Sequence, residues 1–104
     1  MTSRIEVFEQ MLEGDPGNTL VMFGLAKEYE KAGRDAEVVR LLVKYLEGMN
    51  DEGNAYGMLA RAYERLGQRD EARAAYVRGI EVAQAHGHPS MAEDYRLTLE
   101  TDYE

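Results

Sequence analysis

Apolar residues recur at three- and four-residue intervals along most of the chain, which is the period of an amphipathic helix and not the alternation of a strand. Between Asn18 and Gly33 the stripe is Met22, Leu25, Ala26 and Tyr29, and Gly33 supplies a stop. A second stripe of Val38, Leu41, Leu42, Tyr45 and Leu46 follows Asp35, which the pattern makes an N-cap. A third, Tyr56, Leu59, Ala60, Tyr63 and Leu66, ends at Gly67. Asp70 is expected to cap a fourth helix that buries Ala72, Ala75, Tyr76, Gly79, Ile80 and Ala83 and breaks after Ala85 at His86-Gly87-His88-Pro89. Two outer helices complete the set. Ser3-Arg4-Ile5-Glu6 has capping-box spacing ahead of Phe8, Met11 and Leu12, and Ser90-Met91-Ala92-Glu93 has the same spacing ahead of Tyr95 and Leu99.

The third and fourth stripes echo the first and second. Leu25-Ala26-Lys27-Glu28-Tyr29-Glu30-Lys31-Ala32-Gly33 returns 34 residues on as Leu59-Ala60-Arg61-Ala62-Tyr63-Glu64-Arg65-Leu66-Gly67. A period of that length belongs to stacked helical hairpins, in which each unit needs its neighbour to bury its apolar face. The residues resemble the tetratricopeptide repeat. Tyr56, Leu59, Ala60, Tyr63, Gly67, Ala72, Tyr76 and Gly79 fit its pattern in the second unit, where Gln84 departs from the expected proline. The first unit fits through Met22, Leu25, Ala26, Tyr29 and Gly33, but Val38, Leu42 and Tyr45 stand where Ala, an aromatic residue and Ala are expected. At Tyr45 this implies either a wider helix spacing or a ring turned outward. Phe8 and Pro16 fall where a preceding unit would end, with Arg4 as the departure.

The resemblance implies an all-α fold, a right-handed α-α superhelix of about six helices in a single domain over 1–104. Its parts would be a half-unit helix at 3–14, repeats at 19–52 and 53–86, and a capping helix at 89–101. The chain looks like a small stand-alone bacterial member of the family. In that family the first helix of each pair lines the concave side, which implies a peptide-binding groove of Leu20, Phe23, Lys27 and Lys31 in the first unit and Asn54, Met58, Arg61 and Arg65 in the second. Lys27 with Lys31, and Arg61 with Arg65, each lie four apart on one helix face, so an acidic peptide or a C-terminal carboxylate is the expected ligand. The competing reading is a solvated network in which Glu30 and Glu64 neutralise these cations. Phe23 serves either the groove or packing against the N-terminal helix, and Gly24 and Gly57 mark close approach of a helix or of a ligand backbone. The Lys and Asn clamp with which some family members hold acidic chaperone tails is not reproduced, because Phe23 and Met58 stand in its places.

Composition narrows the function. A net charge of −8 opposes non-specific binding to nucleic acid or an anionic membrane. There is no cysteine, no membrane-length apolar run and no hydrophobic leader after Met1, so the expectation is a soluble cytoplasmic protein without cofactor. His86 and His88 would need metal ligands from elsewhere and read as a helix stop. Carboxylate pairs such as Glu28/Glu30 and Glu93/Asp94 point to different sides of a helix, and no phosphate loop, nucleophile elbow or dinucleotide fingerprint occurs. The expected function is therefore non-catalytic binding of a protein or peptide partner through the concave face. The alternative is a homo-oligomeric assembly unit. The acidic end Glu100-Thr101-Asp102-Tyr103-Glu104 is expected to be a frayed terminus, or else to dock in a basic groove of its own chain or of a second copy.

Overall fold

A computed structural model describes residues 3–103, and among them it contains six α-helices and no strand. These are α1 (Arg4–Gly14), α2 (Thr19–Lys31), α3 (Asp35–Gly48), α4 (Asn54–Arg65), α5 (Arg69–Ala85) and α6 (Pro89–Asp102). The chain divides into two compact units, Met1–Met49 and Asn50–Glu104. None of the helices is long and apolar enough to cross a membrane.

In the first unit α1 and α3 both pack on α2. The predicted stripe of α2 is buried, with Val21 added to it, and Val38, Leu42 and Tyr45 meet it from α3. The caps are local. Ser3 Oγ accepts the Glu6 amide at 3.1 Å and Asn18 Oδ1 accepts that of Val21 at 3.1 Å, each satisfying a donor that the first helical turn leaves free. Phe8 lies against Gly24, where a Cβ would come within 3.3 Å of the ring, so helix packing explains that glycine. Tyr45 is not turned outward: its ring is buried and stacks on Phe23 at 5.3 Å and 20°. Phe23 thus meets α3 through this stack.

In the second unit α4 and α6 both pack on α5. The α5 stripe is as predicted, with Ile80 half-buried. The α4 stripe is broader. Leu59 and Ala60 are buried, but so are Ala55, Gly57, Met58 and Ala62, while Tyr56 and Tyr63 are half-buried and Leu66 is exposed. One cause is α6, which sends Tyr95 between two glycines. A Cβ would fall 2.5 Å from the Tyr95 hydroxyl at Gly57 and 2.9 Å from the ring at Gly79. That hydroxyl donates to the Gly53 carbonyl at 2.8 Å, and burial pushes its pKa up.

The expected caps Asp35, Asp70 and Ser90 are not N-caps: α3 starts at Asp35 itself, α5 starts one residue before Asp70, and α6 starts at Pro89. The cause is a turn used three times. Arg34, Gln68 and His88 donate backward to the carbonyls of Tyr29, Tyr63 and Ala83, and Gly33, Gly67 and Gly87 donate to Glu30, Glu64 and Gln84. This is the Schellman pattern, with a left-handed glycine just past the helix end. Its last residue is already the N-cap position of the next helix. No place remains for an aspartate cap, and the acidic residues fall in the first turn, where the helix dipole favours them. At α4 the side-chain acceptor comes from further back, as Asp51 Oδ2 takes the amides of Gly53 and Ala55 at 2.8 and 3.0 Å.

Candidate functional site

The helical period places Leu20, Phe23, Lys27 and Lys31 toward one face of α2. Leu20 is 85 % exposed, an unusual state for a leucine at the start of a well-packed helix. Phe23 is half-buried over Tyr45, and Lys27 Nζ stands 4.9 Å from the centre of the Phe23 ring, so cation, ring and ring form a column. Lys31 is exposed and pairs with Glu28 at 3.3 Å, and Glu28 also meets Arg4 of α1 at 3.5 Å. The two cations are exposed, so an incoming carboxylate would compete for them with Glu28, whose side chain is largely covered.

On α4, Asn54, Arg61 and Arg65 are exposed and share a face. Met58 departs from its expected place. It is 4 % exposed and belongs to the core, so it offers no surface to a ligand. Gly57 likewise faces Tyr95 and not a ligand backbone. Glu64 has another use than neutralising neighbouring cations, accepting hydrogen bonds from the hydroxyls of Tyr76 at 3.1 Å and Tyr103 at 2.7 Å. Burial raises the pKa of Tyr76, and the adjacent Glu64 adds to it.

Residues 100–103 are not frayed. Helix α6 continues to Asp102, and Tyr103 beyond it is 4 % exposed. The Tyr103 ring meets Tyr76 edge-on at 6.0 Å, and the Arg69 guanidinium lies 4.3 Å from its centre. Arg69 and Arg73 donate to the carbonyls of Asp102 and Tyr103. Burial, with the bond to Glu64, pushes the Tyr103 phenol up to about 12. The tail therefore sits on its own α4 and α5 surface, and Glu104 lies outside the described residues. An aromatic residue inside an acidic terminus was the one sequence sign of this.

His86 and His88 both turn to Glu52, at 4.0 and 3.6 Å. Among the described residues no group of three or more His, Cys, Asp or Glu side chains could hold a metal ion. The pair instead borders the turn that ends α5.

An all-α chain of short hairpins closed by the same glycine turn is a helical-repeat protein. Comparison with known proteins names the repeat: the tetratricopeptide repeat pattern matches residues 53–86, which hold α4, α5 and the turn after them. A solution structure of a protein from Bordetella parapertussis superposes with a TM-score of 0.81 at 25% sequence identity, covering 96% of this chain and 87% of that one. Residues 53–86 therefore carry a tetratricopeptide repeat, within an all-α helical-repeat fold. Repeats of this family generally mediate protein–protein interaction and are generally non-catalytic. No curated protein matches the chain.

Proposed function

We propose that this chain is a non-catalytic protein-binding module whose ligand positions are those the family resemblance assigns to the concave face. The observation that carries the reading is Leu20, 85 % exposed on the helix face that also bears Lys27 and Lys31. An exposed apolar anchor beside cations suits a peptide that brings one large apolar side chain and an acidic group. In the second unit the supporting set is Asn54 with Arg61 and Arg65, and the two arginine guanidinium groups are forked donors suited to a carboxylate. Met58 drops out because it is buried.

The test is quantitative affinity purification with the wild-type chain, Leu20→Asp, Lys27→Glu with Lys31→Glu, and Arg61→Glu with Arg65→Glu. Partners should be lost from at least one variant that keeps its helical content. A partner list identical across all four proteins refutes the assignment. Solution mass measured across concentration addresses the assembly alternative, which requires growth on concentration.

A further inference from the structure

The opposite side of α2 carries a second surface. Each residue turns an α-helix by about 100°, which puts Leu25 and Tyr29 roughly across the helix from Leu20 and Lys27. There, between α1 and α3, lies an open groove of about 640 Å³. That volume falls in the range of about 300–1,000 Å³ typical of binding sites. Its floor is apolar: Leu12 from α1 and Leu41 from α3, both half-buried, flank Leu25 of α2, which is 2 % exposed and belongs to the core beneath. Its walls are charged: Glu9 and Glu13 on α1 face Arg40 and Lys44 on α3, while Glu37 at the start of the α3 wall is taken up by Arg34 at 2.6 and 2.7 Å. Glu9 is oriented by the Tyr29 hydroxyl, which donates to it at 2.6 Å. Glu13, Arg40 and Lys44 are exposed and have no hydrogen-bond or ion-pair partner among the described residues.

We infer that this groove is a docking site for an amphipathic helix of a partner protein. The occupant lays an apolar stripe on Leu12 and Leu41, with carboxylates along the flank over Arg40 and Lys44 and basic residues along the flank over Glu9 and Glu13. Charge complementarity selects a helix. Both walls carry their charges four residues apart, a rise of about 6 Å, which is the spacing at which a helix presents its own i, i+4 pairs. An all-acidic or all-basic peptide meets repulsion on one wall, so this surface differs in ligand chemistry from the cationic face of α2.

The experiment uses the full chain and three synthetic helical peptides with one shared Leu stripe, flanked by Glu and Lys on opposite sides, by Glu on both, or by Lys on both. Titration followed by amide NMR should show the mixed-flank peptide binding tightest, with shifts at Leu12 and Leu41. Arg40→Glu with Lys44→Glu should weaken that peptide by about tenfold and make the all-Lys peptide the better ligand. Lys27→Glu with Lys31→Glu should leave both affinities unchanged, so failure of the α2 face and failure of this groove are separately visible. The inference is overturned if the mixed peptide has no advantage, if the Arg40 and Lys44 reversal changes nothing, or if the groove resonances move with protein concentration alone, which would make a second copy the occupant.

Discussion

Replacing Gly57 by Ala should destabilise the protein, although the same change at an open helical site stabilises. In an unobstructed helix interior Ala is favoured over Gly by about 1 kcal/mol. At Gly57 the new methyl would stand 2.5 Å from the Tyr95 hydroxyl, 2.7 Å from Cε1 and 2.9 Å from Cζ. The ring cannot simply retreat, since its other edge already lies close to Gly79 and its hydroxyl is held by the Gly53 carbonyl at 2.8 Å. Forcing an extra carbon into a packed site costs about 1–3 kcal/mol. Losing the Tyr95 hydrogen bond costs about another 1 kcal/mol. After the propensity gain, the net loss is about 1–3 kcal/mol, and a chain of this size loses roughly 4–8 °C in midpoint per kcal/mol. The chain has no tryptophan, so urea and thermal unfolding are best followed by far-ultraviolet circular dichroism. The decisive arm is the double variant. With Tyr95→Ala the obstruction is gone, and adding Gly57→Ala should then stabilise relative to Tyr95→Ala alone. Stabilisation by Gly57→Ala in the wild-type background, or no change of sign between backgrounds, would falsify the packing of α6 described above.

Two further outcomes follow from the helix ends and the tail. Asn18→Ala removes a side-chain cap and should cost about 1 kcal/mol, whereas Asp70→Asn removes only a favourable charge near a helix N-terminus and should cost about 0.3–1 kcal/mol; no loss from Asn18→Ala in urea unfolding would contradict the cap assignment. The Tyr103 phenol rises from its ordinary value of 10 to about 12 in the fold, so between these values the folded state retains a proton that the unfolded state has lost. Its contribution is whole below pH 10 and disappears as pH rises toward 12. Tyr103→Phe should thus be less stable than wild type at neutral pH, with the gap narrowing over that window, as read from urea midpoints; a constant gap would show that the phenol titrates normally.

Much of this architecture is legible in the order of residues. Spacing alone locates all six helices to within a residue or two, because a helix that must bury one stripe repeats its apolar residues at its own period. The glycine stops at Gly33, Gly67 and Gly87 are equally local, since only a residue without a side chain adopts their left-handed backbone easily. The caps at Asp35, Asp70 and Ser90 were misplaced because a Schellman turn merges one helix end with the next helix start, a saving of one residue that composition does not reveal.

The candidate site was less legible. Pattern identifies Lys27, Lys31, Arg61 and Arg65 as surface cations, since charged side chains stay in water. It cannot say that Met58 is core, that Tyr45 turns inward onto Phe23, or that Tyr103 is buried under Arg69. Nor does it disclose the groove between α1 and α3, whose two walls come from helices with no periodic relation between their charges. A stripe records which side of a helix is covered; what covers it, and where a gap is left, is decided only when the helices meet.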